Sequence, residues 1–412
     1  MRFSLYVDNR EYILYSKKKR IRRTHINFFP HISHKLDNMT PLAGFHPESS
    51  RFKARCLSRL LSGPPAERQA CLRELLTGSD PGCLEALHQE SLFPFLYSSL
   101  IRQDCQILAP LSLLGKFKHD YLCALQQSVV HEAEALQVIE SMVAAGIGVI
   151  LLKGADLRLR VYNDPAARPM TDLDLLVPPE DVAPARKVLA GLKYRVTLSH
   201  THQRPGFREQ FAPADIYEPP PGLTLKVDFH WGLWNEFSVY GLPLTPILDG
   251  ARPASFRGVP VRVMAPEHLL MHLCLHAYWD GIMLRQLVDI VLTASLLPVS
   301  WPRLLDQASR WRGQFPLHQV LSLAQEVSPA AIPASTLAGL AGRRPPLVEK
   351  VVKTGALGPL TYYLASLYRQ PLTQWPSFFA AKFWPDRDYL AAKFGSPSRL
   401  GYLGQFVRKF RR

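Results

Sequence analysis

The chain has 412 residues, of which 47% are hydrophobic and 20% charged. This balance excludes a disordered or fibrous chain and leaves room for two or three packed domains. The formal net charge of +15 would suit a polyanion partner, but its placement argues otherwise. Residues 1–38 carry nine Lys/Arg against three Asp/Glu, and residues 399–412 add five basic groups and no acid. The body between them is nearly balanced. No run reaches the roughly 18–20 apolar residues of a membrane span. The start, Met1-Arg2-Phe3-Ser4, lacks a long apolar stretch before a small-residue cleavage site. The cysteines at 56, 71, 83, 105, 123 and 274 form no Cys-x-x-Cys pair and read as free thiols of the cytoplasm.

Residues 1–47 read as a basic, disordered extension containing Lys17-Lys18-Lys19-Arg20-Ile21-Arg22-Arg23, and translation is expected to begin at Met39. Residues 48–145 form a helical region. A first helix follows Ser49-Ser50, a second opens at Pro64-Pro65, and a third follows Pro81-Gly82. A long helix then runs from about Leu111 to Ala145. Residues 146–265 read as an α/β core. Strands are expected at 148–152, 172–177, 194–198, 207–211 and 223–231, with helices at 155–162 and 178–192. Residues 266–398 turn helical again, with a first helix through about Trp279, a break at Gly281 and a second from Ile282 to Leu297. Residues 399–412 are expected to be a basic, frayed tail. The fold class is therefore α/β (α+β), a small mixed-sheet core flanked by N- and C-terminal helical regions.

The chemistry centres on Asp172-Leu173-Asp174. Side chains alternate along a strand, so both carboxylates project to one side. Like charges on a core strand repel and lose hydration. A divalent cation relieves both costs, and Mg²⁺ accepts such ligands. Over 223–231, Thr224, Lys226, Asp228 and His230 share one face, and Leu225, Val227, Phe229 and Trp231 the other. Asp228 thus becomes a third carboxylate, aimed at the same cavity. Three carboxylates on neighbouring strands can hold two Mg²⁺ ions, which bridge a nucleotide's phosphates and activate an attacking hydroxyl.

Lys153-Gly154, Asp172-x-Asp174 and Asp228, in this order, resemble the signature of the DNA polymerase beta type nucleotidyltransferase superfamily. More narrowly, Leu152-Lys153-Gly154-Ala155, Tyr162, Arg168-Pro169, Thr171–Val177, Val227-Asp228-Phe229-His230-Trp231 and Leu273-Cys274-Leu275-His276-Ala277 resemble the bacterial family called uncharacterised nucleotidyltransferases, over about residues 50–400. The resemblance implies that Asp172 and Asp174 ligate the metals. Asp228 completes the site and takes the acceptor's proton, and Gly154 lets the backbone approach the triphosphate. The superfamily has Gly-Ser at this turn, whereas Ala155 follows Gly154 here. Either Lys153 supplies the phosphate contact, or the nucleotide is bound differently. Arg168 is a further candidate for bidentate phosphate pairing.

The implied reaction moves a nucleoside monophosphate from an NTP to an acceptor. The balanced body favours a small molecule or modified peptide over long nucleic acid. Two rivals are a nucleotide-binding regulatory protein without turnover and an RNA-binding protein acting through its basic ends. His268, His272 and His276 recur at four-residue spacing on one helical stripe and are expected to be structural or to face the cleft. Arg285 and Asp289 are expected to form an i, i+4 pair.

Overall fold

A seven-stranded mixed sheet frames the computed structural model, which describes residues 7–8, 11–12, 85, 87–102, 111–197, 206–234, 238–354, 360–395 and 398–410. The helices expected before residue 80 and the basic run at 17–23 lie outside these residues. The chain divides into two units, Met1–Asn38 and Met39–Arg412. In the first, β1 (Val7–Asp8) pairs antiparallel with β2 (Glu11–Tyr12).

The second unit opens with α1 (Phe93–Arg102) and α2 (Leu111–Ala144), the latter ended by Gly146 with φ 77°. The core follows as β3 (Ile150–Leu151), α3 (Lys153–Arg160), β4 (Asp172–Leu176), α4 (Val182–Gly191), β5 (Arg195–Val196), α5 (Phe207–Phe211), β6 (Ala214–Glu218) and β7 (Lys226–His230). After the small pair β8 (Leu233–Trp234) and β9 (Gly241–Leu242) come α6 (Leu244–Gly250), β10 (Arg252–Phe256) and β11 (Val259–Val263). The sheet order is β10-β11-β3-β4-β7-β6-β5. The pairs β11–β3 and β4–β7 are parallel and the others antiparallel. Ten helices then end the described chain, beginning with α7 (Pro266–Asp280), α8 (Leu284–Leu296) and α9 (Trp301–Arg310). The α/β class with helical flanks is as expected, and among the described residues no helix is long and apolar enough to cross a membrane.

The sheet separates two apolar cores. Leu173, Leu175, Val227 and Phe229 join Val138, Ile139 and Met142 of α2 and Ala185 and Leu189 of α4. Ile150 and Leu176 look the other way, into a larger core with Leu269, Leu270, Leu287 and Val288 of α7 and α8. Along β7 the exposure alternates strictly, Val227 and Phe229 buried and Asp228 and His230 half-buried. That second face is the one that receives the carboxylates.

Several elements depart from expectation, among them the unexpected β6, β8, β9 and α6. Residues 207–211, expected as a strand, form the helix α5. The Phe207 and Phe211 rings lie 4.9 Å apart and both meet Phe378; residues four apart in a strand would stand about 13 Å from each other. The hairpin β10–β11 is additional. Arg257 (φ 50°) and Gly258 (φ 91°) turn it, a two-residue loop with positive φ at both centres. Residues 399–410, expected to be frayed, form a helix whose Tyr402 packs with Tyr389 and Leu390.

Helix α2 fixes the start of β7. Glu134 is buried, and its carboxylate accepts from the Leu225 N–H at 2.7 Å and the Thr224 N–H at 3.0 Å. His131 bridges the same helix to the Met170 carbonyl, 2.6 Å, and the Thr224 hydroxyl, 3.1 Å. Glu134→Ala leaves two backbone donors near a core without partners. It should cost about 2–4 kcal/mol, read as a lower urea midpoint with an unchanged slope.

Candidate active site

The register of β4 on β7 sets the site. Asp174 stands directly opposite Asp228, and Asp172 opposite Lys226. Neighbouring strands lie about 4.8 Å apart, so same-face carboxylates at paired positions are forced together. One ligand atom each from Asp174, Asp228 and His230 lies within 4.8 Å of the others. Asp172 shares their face but falls outside that tight group, and its Oδ1 accepts from the Thr171 hydroxyl at 3.0 Å.

Two protein groups serve one oxygen. Lys153 Nζ donates to Asp174 Oδ1 at 2.7 Å, and His230 Nε2 lies 3.2 Å from the same atom. Burial alone would raise Asp174, but Lys153 and His230 hold it well below the usual carboxylate range. Asp228 gains less relief: no described residue donates a hydrogen bond to it, and the fields of His230 and Lys153 offset only part of its burial. Burial and the Asp174 charge push it up to about 6. Burial and Asp174 also raise Asp172. Positive charge on the Asp228 side therefore falls short of what its burial and the Asp174 charge demand. Oxygen ligands of this kind, crowded together and only partly satisfied by protein donors, fit a divalent cation.

The turn that carries Lys153 departs from the expected form. Lys153, not Gly154, takes the left-handed conformation, with φ 40°, a costly state for a residue with a side chain. A Cβ on Gly154 would meet only the Met170 Cγ at 3.7 Å, an ordinary contact. Neither backbone angle nor packing thus demands glycine at 154. No side chain caps the N-terminus of α3 that starts here.

The other arginines separate into engaged and free. Arg168 Nε lies 3.0 and 3.1 Å from the two Asp289 oxygens, and the Tyr162 hydroxyl donates to Asp289 at 2.7 Å. Asp289 therefore pairs with Arg168, and the expected Arg285–Asp289 pair does not form. Arg285 is half-buried in the first turn of α8 and has no carboxylate or hydrogen-bond partner for its guanidinium among the described residues. It stands in the fields of Arg168, Asp289 and Asp172.

Residues 81–329 match the family described as uncharacterised nucleotidyltransferase. The chain belongs to that family. No curated protein matches it. Among solved structures, an antigenic nucleotidyltransferase-like protein from Paracoccidioides brasiliensis is similar at 18% identity, with 52% of this chain and 92% of that chain covered and a TM-score of 0.33.

Within this nucleotidyltransferase the histidine stripe serves three places. His272 faces the carboxylates. Burial and the nearby Lys153, His276 and His230 push its imidazole well below its usual value, and its buried Nε2 has no partner. His276 Nδ1 pairs with Asp280 at 2.8 Å, and His268 Nε2 meets Gln307 Nε2 at 2.9 Å. His230 and Arg285 are additions to the expected site residues. Strand alternation places His230 beside Asp228, so its signal was in the sequence. The freedom of Arg285 depends on which arginine claims Asp289, which no local pattern states.

The Asp228 shift predicts a pH signature. Its folded value near 6 lies above the ordinary 3.8. The folded state therefore binds more protons between these values, and stability falls as pH rises through that window. In metal-free buffer Asp228→Asn should raise Tm at pH 7.5 by roughly 1–4 °C and change little at pH 4. Added Mg²⁺ should stabilise only the parent chain at pH 7.5.

Proposed function

We propose that the chain is a bacterial member of the DNA polymerase beta type superfamily that moves a nucleoside monophosphate from an NTP to an acceptor, with release of pyrophosphate. The supporting observation is the direct pairing of Asp174 with Asp228 on parallel strands, close to Asp172 and short of positive charge. Asp172, Asp174 and Asp228 would hold the cations, with Mg²⁺ the best match for their oxygen donors. Bound Mg²⁺ supplies charge neutralisation on the phosphates undergoing in-line displacement.

The chain's own groups do the rest. Asp228, free of protein donors, takes the proton as the acceptor O–H bond breaks and the new O–P bond forms. Lys153 and His230 keep Asp174 ionised and oriented through its Oδ1. Lys153 is thereby committed to Asp174, and Arg168 to Asp289. Among the described residues Arg285 has an unpaired guanidinium, and it would pair with the triphosphate in place of the hydroxyl that Ala155 lacks. Gly154 and the uncapped start of α3 offer backbone N–H groups to phosphate oxygens. Residues 146–265 carry the chemistry, and the flanks 48–145 and 266–398 shape the pocket of a small-molecule or modified-peptide acceptor.

Purified protein incubated with labelled NTPs, Mg²⁺ and cell extract should transfer label to an extract component. Asp174→Asn and Asp228→Asn should each lower transfer by at least about 100-fold; full transfer in both would overturn the assignment. Arg285→Gln should raise KM for the NTP by roughly tenfold or more, from the loss of a charge-assisted contact, with a smaller effect on kcat. An unchanged KM would remove Arg285 from the nucleotide site.

A further inference from the structure

A second cavity lies away from the carboxylates. It has a volume of about 480 Å³ and opens between the end of α6, the start of β10, the first turn of α7 and α9, with Gly250, Arg252, Glu267, His268, Arg303 and Gln307 on its walls. Water fills a site at about 30 Å³ per molecule, so this space has the dimensions of a small-molecule site.

Its polar groups are built in but unused. Glu267 and His268 are 3% and 4% exposed. Glu267 Oε2, His268 Nδ1 and Gln307 Oε1 are all buried without a hydrogen-bond partner. Such orphans each cost free energy unless something outside the chain meets them. The Gln307 Nε2 amide reaches His268 Nε2 at 2.9 Å. With that nitrogen accepting, the imidazole proton sits on Nδ1. Behind the inner wall lie two acceptors, a carboxylate and an amide oxygen, and one N–H donor, which a ligand meets once these side chains turn toward the cavity.

The rim carries the opposite charge. Arg252 and Arg303 are exposed, and neither has a carboxylate partner among the described residues. Asp306, on the same rim, is already paired with Arg310 at 3.0 Å. A cation thus fits inside and an anion outside. Gly250 keeps the inner wall open, because a Cβ there would lie 2.9 Å from His268 Cε1 and 3.2 Å from Nδ1.

We infer that this cavity is a binding site for a small zwitterion of the free amino-acid type, its ammonium group on Glu267 and Gln307 and its carboxylate on Arg252 and Arg303. A polyanion such as a triphosphate does not suit it, since Glu267 would repel the buried end. The site is separate from the carboxylate cluster, although α7 links them, with His268 and His272 one helical turn apart.

Titration calorimetry of the full chain with glycine, L-serine, L-glutamine and L-lysine tests this, with methylamine and acetate as single-charge controls. At least one amino acid should give saturable binding near one per chain, and neither control should match it. Glu267→Gln should weaken that binding by about tenfold or more. Arg303→Ala, at an exposed position that leaves the fold intact, should weaken it too. Gly250→Ala should weaken it by covering Nδ1. No saturable binding by any of the four amino acids, or binding unchanged in both Glu267→Gln and Arg303→Ala, overturns the proposal.

Discussion

Repulsion between Asp174 and Asp228 organises this molecule. Parallel pairing of β4 with β7 puts the two carboxylates opposite each other, and the apolar alternation of both strands forbids a slip. A one-residue shift would send Leu173, Leu175, Val227 and Phe229 to the polar face. The hydrophobic effect that builds the sheet therefore also enforces the charge conflict. Protein groups settle part of it. Lys153 and His230 converge on one oxygen of Asp174 and compensate Asp228 only in part. A site wholly neutralised by its own lysines would have no use for an external cation, and this one is not.

The supports of the site come from outside the sheet. Glu134 and His131 on α2 hold the strand that carries Asp228 and the loop that precedes Asp172. On the opposite face, Asp289 of α8 gathers Arg168 and Tyr162 from the core. A buried carboxylate pairing with an arginine is costly to break by removing one partner. The loop bearing Arg168 and the helix bearing Arg285 are thereby held together. Lys153 holds a left-handed backbone that its side chain disfavours, and the gain that offsets this is its contact with Asp174.

What was legible in the sequence was periodic or local. The 223–231 segment alternates without a break, so the face shared by Asp228 and His230 could be read directly. Gly281, at φ 93°, closes α7 where a break was expected. What was not legible depended on competition between distant groups. Arg285 and Asp289 have ideal helical spacing, yet Asp289 turns to Arg168, 121 residues away. The segment 207–211 has strand-like composition, but contacts with Phe378 decide its form. The histidines at 268, 272 and 276 share a stripe, but Gln307 of α9 meets the first, the carboxylate cluster lies near the second and Asp280 pairs with the third.

That competition bears on the turn at 153–155. A serine hydroxyl after the glycine would contact phosphate without altering the charge of the site. Here the residue before the glycine brings a full positive charge, which goes to Asp174 and not to a ligand. Placing a cation on the carboxylate side shifts the need for phosphate recognition to another element. Arg168 is already engaged, its Nε with Asp289 and its Nη1 with the Pro169 carbonyl. The first turn of α8 can meet that need, because Arg285 keeps its charge unpaired and half-buried, where a guanidinium left without an anion is poorly solvated. The departure at Ala155, the lysine at 153 and the free arginine at 285 then become one rearrangement. In the proposed site the charges are redistributed around the same carboxylates, and the helical flank would supply the phosphate contact.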